Sequence, residues 1–372
     1  MNQENTVLER YSEGANERQD ALCCPVDYQT DLLKILPDEV IEKDYGCGDP
    51  SRYVREDDVV LDLGSGSGKI CYMAAQLVGE KGKVIGVDMN NDMLSLSRKY
   101  QEEMAEKLGN DRVQFLKGKI QDLALDVDAM ETWLQSNPVT TVDDLSKLEN
   151  WKLQQTGEAP LIADNSIDLV ISNCVLNLVS DAEKQQLVNE IFRVVKPGGR
   201  IAISDIISDE FIPEHLKLDK DLWSGCISGA FQEQEMLEMF HDACFIAVSY
   251  DKWSDAPWQV VEGIEFRSAT LTAIKREQTD CIDKGHAVIY RGPFSFVIDD
   301  EGHEFPRGER MAVCERTFNV LGNEPYKEDF IGVIPAQEKE PKVWCAPAGT
   351  KRPATETKGA RHSINTENSS CC

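Results

Sequence analysis

Two periods of hydrophobic positions alternate along the middle of the chain. Short runs of Val, Ile and Leu predict buried strands, and apolar residues at every third or fourth position predict helices between them. The predicted strands are 58–63, 83–87, 113–117, 167–172 and 199–204, and the predicted helices are 69–79, 91–107 and 181–195. Strands that alternate with helices favour a mostly parallel, doubly wound α/β sheet. We therefore expect residues 56–205 to form the main domain.

The segments that flank this domain have other patterns. Residues 1–55 predict a polar, helical lead-in with a loop around Cys47. Residues 206–275 contain an amphipathic helix and a late strand that we expect to join the sheet. Residues 276–334 predict a small β-rich module, and residues 335–372 are so polar that they predict a flexible tail.

A polar insertion at about 122–160 separates the third predicted strand from the fourth. Its pattern predicts two helices, Ala124–Leu134 and Thr141–Leu153, and Thr141 and Asp144 have the spacing of a capping box. The acidic residues of the insertion favour a solvated face over a binding site. We interpret the insertion as a helical lid or flank of the main domain.

The first predicted strand runs into a glycine-rich turn, with Gly64, Gly66 and Gly68 at alternate positions. This spacing matches neither the dinucleotide fingerprint G-x-G-x-x-G nor the complete phosphate-binding P-loop. Glycines allow a backbone to approach a ligand closely, and Asp88, at the end of the second strand, could accept hydrogen bonds from both hydroxyls of a ribose. The pattern indicates an adenosine cofactor without a pyrophosphate, namely S-adenosylmethionine. A Rossmann-like unit that binds another nucleotide, or none, is the alternative.

Composition narrows the classes of partner. The chain has 39 basic and 66 acidic residues, a net charge of −27, and such a surface repels the phosphate backbone of nucleic acids. No apolar run reaches the roughly 18 residues of a membrane span, and the N-terminus is too polar for a secretory signal. We therefore expect a cytoplasmic protein that binds neither nucleic acid nor membrane.

The chain contains 12 cysteines, which a cytoplasmic protein would hold as thiols. No C-x-x-C sequence occurs, which argues against a zinc knuckle. Four cysteines are expected around the mouth of the cofactor site because they lie in bent, small-residue or strand-end positions: Cys47, Cys71, Cys174 and Cys226.

Several thiolates beside a methyl donor allow two chemistries. The thiolates could be methyl acceptors, or they could hold a soft, thiophilic atom that accepts the methyl group. Trivalent arsenic bound by three thiolates keeps a lone pair that can attack a methyl group in line. The protein would then supply orientation and dry walls. Arsenite is neutral at pH 7, so an acidic surface would not repel it.

Several motifs together resemble those of arsenite S-adenosylmethionine methyltransferases, over about residues 45–275. They are Tyr45-Gly46-Cys47-Gly48, the run from Leu61 to Gly68 with Cys71-Tyr72, Gly86-Val87-Asp88-Met89, the run from Ser172 to Leu178, and Trp223-Ser224-Gly225-Cys226. The resemblance implies a Rossmann-like class I methyltransferase fold and an enzyme that methylates trivalent arsenic, supplied as a thiol conjugate. It also implies glutathione or thioredoxin as the reductant.

The resemblance also implies roles for individual residues. Cys174 and Cys226 would bind arsenic, and Cys71 would be a third ligand or a redox partner. Cys47 would pair with Cys71 or relay the metalloid, and residues 206–275 would form the metalloid-binding region. The residues implied for the cofactor site are Asp62, Gly64, Ser65, Gly66, Gly68, Tyr72, Asp88, Met89, Ile120, Gln121 and Asn173.

Two features depart from the family pattern. The family usually has Arg-Asp where this chain has Lys69-Ile70, which removes an acid near the methionine end of the cofactor, and the insertion is longer than in many members. A methyltransferase of a small organic acceptor or another metalloid is therefore an alternative, and it would tolerate serine at Cys174 and Cys226. A non-enzymatic protein that sequesters a soft metal is another. The pairs Cys23-Cys24 and Cys371-Cys372 have no assigned role.

Overall fold

The structure is a computed structural model that describes residues 3–19, 26–277, 279–337 and 339–358. The cysteine pairs near the two ends of the chain, Cys23-Cys24 and Cys371-Cys372, lie outside the described residues. The chain divides into two compact units, Met1–Arg276 and Glu277–Cys372. No helix in the described ranges has the length and apolarity needed to span a membrane.

The first unit is built on one sheet in which the strand order is β3-β2-β1-β4-β5-β9-β7. The strands from β1 to β5 pair in parallel, and β9 and β7 complete the sheet in antiparallel orientation. The strands are β1 Val59–Leu63, β2 Lys83–Asp88, β3 Val113–Lys117, β4 Ile167–Asn173, β5 Val195–Ser208, β6 Phe231–Gln232, β7 Phe245–Trp253, β8 Gln259–Val261 and β9 Ile264–Lys275.

Helices cover both faces of this sheet, as the sequence predicts. Val60 of β1 packs into a core with Ile70 and Met73, whereas Leu61 and its neighbour Leu63 pack into a second core on the opposite face. The helices of this unit are α1 Gln3–Asn16, α2 Thr30–Leu33, α3 Asp38–Glu42, α4 Lys69–Leu77, α5 Asn91–Lys99, α6 Gln101–Leu108, α7 Val127–Ser136, α8 Val142–Glu158, α9 Asp181–Val194, α10 Glu214–Lys217, α11 Lys220–Ser224 and α12 Glu233–Asp242. Because β1 is buried on both faces, its sequence is continuously apolar up to Asp62.

Two predicted elements differ from those observed. The helix predicted over 91–107 is interrupted at Tyr100, whose φ of −105° and ψ of 4° end α5 before α6 begins. The fifth strand, predicted over 199–204, extends over Val195–Ser208 because β9 pairs with it as far as Ser208. This extension carries Asp205 at the carboxyl-end side of the sheet.

The insertion forms the two predicted helices, α7 and α8. Thr141 and Asp144 form the predicted capping box at the start of α8. Trp133 of α7 stacks on Trp151 of α8 with 5.6 Å between ring centroids, which joins the pair. Neither helix has a fully buried residue, in agreement with a solvated flank.

The second unit is rich in short strands around a core that includes Tyr290, Phe305 and Phe330. Its elements are β10 Ile282–Asp283, β11 Ala287–Tyr290, β12 Phe296–Ile298, β13 Glu304–Pro306, β14 Arg310–Ala312, α13 Glu315–Leu321, β15 Phe330–Val333, β16 Lys342–Val343 and α14 Ala354–Thr357. The flexible tail predicted from residue 335 differs from the structure up to residue 358, because β16 pairs with β10. Polar contacts, such as Arg352 to Asp283 at 2.7 Å, hold this segment, so its composition conceals its order.

Candidate active site

The glycine-rich turn after β1 has the predicted shape. Gly64, Gly66 and Gly68 have φ values of 69°, 51° and 86°, in the left-handed region that favours glycine. A Cβ at Gly64 would lie 2.4 Å from a methyl carbon of Val175, so the close approach requires glycine. Asp88 ends the neighbouring strand β2, and its carboxylate accepts a hydrogen bond from the Gly66 backbone N–H at 2.9 Å.

A cavity of about 290 Å³ opens at the carboxyl ends of β1, β2 and β4, where open α/β sheets bind ligands. Its lining includes most of the predicted cofactor residues: Asp62, Gly64, Ser65, Gly66, Asp88, Met89, Ile120, Gln121 and Asn173. The Ser65 hydroxyl is buried and has no hydrogen-bond partner among the described residues. A buried polar atom of this kind fits a polar ligand such as the amino-acid or nucleoside part of S-adenosylmethionine.

Buried carboxyl groups give the cavity its electrostatic character. Burial raises the pKa of Asp62 to about 8, although a hydrogen bond from Cys71 lowers it, and Asp44 and Asp88 raise it further. Burial also raises the pKa of Asp88, and backbone N–H groups, including that of Asn90, partly offset this. A cationic ligand would favour the ionised carboxylates, so the cavity is suited to a sulfonium or ammonium group.

Gly68 and Tyr72, both predicted to contact the cofactor, are not part of the cavity lining. Tyr72 is fully buried, and its hydroxyl donates to the Ser97 carbonyl oxygen at 2.6 Å. A Cβ at Gly68 would lie 2.9 Å from the Phe115 ring. Both residues therefore pack α4 against β3 and α5, because this face of the first helical turn points away from the cavity.

The N-terminal helix α1 contributes a cavity wall that the sequence analysis missed. Its lining residues include Val7, Leu8 and Tyr11. These residues form a short apolar stripe on an otherwise polar helix. Such a stripe could have indicated a helix that packs over the cavity.

Asp44 is a second missed lining residue, and it explains what Lys69 does. The Lys69 ammonium forms an ion pair with Asp44 and lies 3.6 Å from the centre of the Tyr28 ring. The Lys69-Ile70 sequence lacks the acid of the family pattern, and Asp44 supplies a carboxylate to the same cavity from another segment.

Cys47 and Cys174 form a disulfide, with 5.7 Å between their Cα atoms, so the expectation that the cysteines are thiols is wrong for this pair. The Asn173 side-chain oxygen accepts hydrogen bonds from the backbone N–H groups of Cys47 and Gly48, each at 2.9 Å. A Cβ at Gly46 would lie 2.0 Å from the Asn173 amide nitrogen, so glycine is required there. Asn173, at the end of β4, therefore fixes the Cys47 loop beside Cys174.

The predicted pairing of Cys47 with Cys71 is wrong in this structure. Cys71 is fully buried in the first turn of α4, and its thiol donates to the Asp62 carboxylate at 3.2 Å. Burial raises the pKa of the Cys71 thiol, and the negative charge of Asp62 raises it further. From the first turn of α4, the Cys71 thiol points toward β1 and β2 and away from Cys174. The spacing of residues along the sequence could not reveal this direction.

Cys226 lies beside Cys174, as expected for two residues predicted to share a ligand. Its thiol donates to the Cys174 carbonyl oxygen at 3.3 Å and lies 3.9 Å from the Tyr11 hydroxyl. Cys174 and Cys226 have φ values of 61° and 62°, a left-handed conformation that is uncommon outside glycine and often marks functional residues. The three cysteines share an apolar cluster with Ile206 and Phe266, so water is largely excluded around their sulfurs.

Asp205 is a further residue that the sequence analysis missed. One of its carboxylate oxygens and the sulfurs of Cys47 and Cys174 all lie within 4.8 Å of one another. Burial raises the pKa of Asp205 to about 7, although the N–H groups of Ile206 and Leu176 donate to it. The only signal in the sequence was an acid near the end of the fifth strand.

Comparisons with known proteins agree with this geometry. A family model described as a methyltransferase domain matches residues 55–151 and 146–244, and one described as a domain of unknown function (DUF8838) matches residues 277–362. The arsenite methyltransferase of Mus musculus is 32% identical over 326 residues, which cover 82% of this chain and 74% of the relative. The arsenite methyltransferase of Aquipseudomonas alcaligenes is 30% identical over 335 residues, which cover 86% of each chain.

A solved structure supports the same assignment. CrArsM, an arsenic(III) S-adenosylmethionine methyltransferase from Chlamydomonas reinhardtii, has 28% identity and a TM-score of 0.54, over 85% of this chain and 99% of that chain. The sequence similarity to the relatives extends beyond the glycine-rich turn to most of the chain. The chain therefore belongs to the arsenite methyltransferase family and is an S-adenosylmethionine-dependent enzyme with the class I methyltransferase fold.

Proposed function

We propose that this enzyme methylates trivalent arsenic that is held by cysteine thiolates at one end of the cavity. The observation that carries this proposal is the position of Cys174. It lines the cavity that fits the cofactor, and it also lies beside Cys47 and Cys226. A soft atom bound to Cys174 would thus be next to the bound methyl donor.

The disulfide between Cys47 and Cys174 must be reduced before arsenic can bind. Two molecules of glutathione, or one dithiol protein such as thioredoxin, would donate two electrons and two protons. The products are the free Cys47 and Cys174 thiols and the oxidised reductant. This requirement gives the predicted reductant a specific task at a specific bond.

Arsenic loading would then use the thiols that the structure brings together. Each As–S bond forms as an arsenic hydroxyl leaves as water with the thiol proton. We propose Cys174 and Cys226 as ligands, in agreement with the sequence prediction, and Cys47 in place of the predicted Cys71. The reason for this change is the contact of Cys71 with Asp62 on the interior side of β1.

S-adenosylmethionine, when bound, supplies an electrophilic methyl group on a positively charged sulfur. The glycine-rich turn and Asp88 would position the nucleoside, and the ionised carboxylates would favour the sulfonium charge. Apolar residues such as Ile206 and Phe266 would keep water from the arsenic. Attack by the arsenic lone pair would form the As–C bond while the methyl–sulfur bond breaks, so that S-adenosylhomocysteine leaves and arsenic becomes formally pentavalent. Because this chemistry needs reduced thiols, we propose that the enzyme works in the cytoplasm.

Product analysis tests this function. The purified chain is incubated with labelled S-adenosylmethionine, arsenite and glutathione, and arsenic species are separated by chromatography with elemental mass detection. We expect methylated arsenic from the parent chain, and a loss of at least ~100-fold in Cys174→Ser and Cys226→Ser. Cys244→Ser, a change at an exposed free cysteine, is the matched control and should retain activity.

Two results would contradict the proposal. One is activity in Cys174→Ser and Cys226→Ser equal to that of the Cys244→Ser control. The other is a parent chain that binds the cofactor and yields no methylated arsenic, which would favour an organic acceptor.

A further inference from the structure

The second unit has a cysteine cluster of its own. The Cys281 and Cys345 sulfurs lie 3.3 Å apart, although the two residues are 64 positions apart in the chain. Cys281 is partly exposed and Cys345 is exposed, so solutes can reach the pair. Cys314 lies in the same unit and is buried. None of these three residues belongs to the proposed methylation site.

The backbone holds this pair together. Strands β10 and β16 pair in antiparallel orientation with Ile282 opposite Val343, one residue after Cys281 and two residues before Cys345. The Trp344 N–H donates to the Cys281 carbonyl oxygen at 2.7 Å, which extends the pairing by one residue. The proximity of the sulfurs is therefore a product of the fold of this unit, since two chain segments must pair to create it.

The charges near the pair favour sulfur chemistry. The Arg316 guanidinium lies 3.6 Å from the Cys281 sulfur and is fixed by Glu301, 2.8 Å away. Partial burial and the neighbouring Cys345 leave the pKa of the Cys281 thiol raised overall, although the Arg316 charge lowers it. The free pair is therefore held as thiols, and the Arg316 charge would stabilise the sulfur ligands once a soft atom replaces their protons.

We propose that Cys281 and Cys345 form a second arsenic site, which binds a monomethylated arsenic(III) acid through two sulfurs. Two thiols match an arsenical with two exchangeable hydroxyls. Two As–O bonds break, two As–S bonds form, and each thiol proton leaves with a hydroxyl as water, with no change in oxidation state. The identity of this ligand rests on the proposed function, because one methylation of arsenite followed by reduction yields it.

The geometry favours two sulfurs over three at this site. A site with three protein ligands needs three cysteine, histidine or carboxylate side chains whose ligand atoms lie within 4.8 Å of one another. In the described parts of the chain, Cys47, Cys174 and Asp205 form such a set. Cys281, Cys314 and Cys345 do not form such a set. Cys314 instead donates to or accepts from the Thr317 hydroxyl at 3.3 Å, so its sulfur is engaged elsewhere.

A binding measurement on a thiol-depleted chain tests the proposal. The thiol-depleted chain carries serine at Cys23, Cys24, Cys47, Cys174, Cys226, Cys371 and Cys372, which removes the proposed methylation ligands and both terminal pairs. It is reduced, incubated with methylarsonous acid, desalted, and examined by native mass spectrometry and elemental analysis. We expect one arsenic per chain, with a loss of affinity of at least ~10-fold on adding Cys281→Ser or Cys345→Ser.

Cys244→Ser in the same background is the matched control and should leave binding unchanged. Cys281→Ala, with circular dichroism of each variant, separates loss of binding from loss of folding. The proposal is overturned if the folded thiol-depleted chain retains no arsenic, or if it retains the same amount without Cys281 and Cys345. The assay contains no methyl donor and no methylation ligands, so its failure would be distinct from failure of the proposed function.

Discussion

The two ends of the cavity are assembled in different ways. The floor of the end that fits the cofactor comes from β1, β2 and the turn between β1 and α4, which are close in sequence, and α1 and the segment with Asp44 add walls to it. The end with the thiols brings together Cys47, Cys174 and Cys226 from three distant segments. The first end depends on local backbone geometry, and the second depends on tertiary contacts. Local sequence patterns can therefore predict the glycine-rich turn, whereas they do not predict which distant cysteines meet.

The same contrast holds for the interactions within each end. At the cofactor end, glycines in the left-handed region and a backbone N–H to Asp88 set the shape. At the thiol end, the Asn173 side chain holds the Cys47 loop, and two non-glycine residues, Cys174 and Cys226, adopt the strained left-handed conformation. Changes at one end should therefore leave the other largely intact, and this can be tested.

The largest effect is expected from the reductant. Without it, the Cys47–Cys174 disulfide persists and Cys174 cannot bind arsenic, so methyl transfer should fall by at least ~100-fold. Binding of S-adenosylmethionine, measured by calorimetry, should not change. Cys47→Ser cannot form this disulfide, so arsenite binding to its remaining Cys174 and Cys226 thiols should no longer depend on the reductant. Full activity of the oxidised parent chain would show that the disulfide is irrelevant to loading.

The next largest effect is expected at the cofactor end. Asp88→Ala should weaken S-adenosylmethionine binding by ~10- to 100-fold, since hydrogen bonds to a charged group contribute about 1.5–3 kcal/mol. Arsenite binding to the reduced enzyme should change little. Asp92→Ala, at an exposed carboxylate on α5, is the matched control for calorimetry. Equal losses of cofactor and arsenic affinity in Asp88→Ala would break the separation of the two ends.

A smaller effect is expected in the pH dependence of stability. Burial raises the pKa of Asp62 to about 8, so the folded state holds a proton that the unfolded chain releases near pH 4. The contribution of Asp62 to the free energy of unfolding of the cofactor-free enzyme should therefore fall as the pH rises from about 4 to about 8. One carboxyl contributes a slope of at most about 1.4 kcal/mol per pH unit.

Asp62→Asn, which keeps the size of the side chain, tests this assignment. It should flatten the fall in stability, measured by urea unfolding at a series of pH values. An unchanged slope in this variant would show that Asp62 titrates normally.

The smallest effect is expected at Tyr72, where a substitution should change the free energy of unfolding but not the cofactor affinity. Tyr72→Phe removes the hydroxyl that donates to the Ser97 carbonyl oxygen and should lower the free energy of unfolding by about 1 kcal/mol. Cofactor affinity should stay within about twofold, because a buried packing residue contributes no contact to the ligand. A tenfold loss of affinity, with stability unchanged, would restore the sequence-based prediction that Tyr72 contacts the cofactor.

Local patterns in the sequence were enough to predict the sheet, the flanking helices and most of the cofactor end. The boundaries of β1 to β4 follow from apolar runs, and Gly64, Gly66 and Asp88 lie in one continuous strand–turn–helix–strand unit. The cofactor contact that the family resemblance implied for Tyr72 does not fit the structure, because its side chain lies on the face of α4 that packs against β3 and α5.

The thiol end shows where local patterns stop. The sequence indicated that Cys174 and Cys226 meet, and the structure confirms that they lie together. It could not indicate that Cys47 joins Cys174, because that contact depends on the Asn173 side chain. The order of residues 339–358 was hidden for a similar reason, since ion pairs such as that of Arg352 with Asp283 leave no apolar pattern.

The central claim is that sulfur atoms of this chain hold arsenic beside the cofactor. X-ray absorption at the arsenic edge tests it most directly, with the reduced enzyme, arsenite and S-adenosylhomocysteine in place of the methyl donor. We predict arsenic bound by sulfur alone in the parent chain, and loss of sulfur ligands in Cys174→Ser and Cys226→Ser. Arsenic that keeps its oxygen ligands in the parent chain, or sulfur coordination unchanged in both variants, would contradict the account.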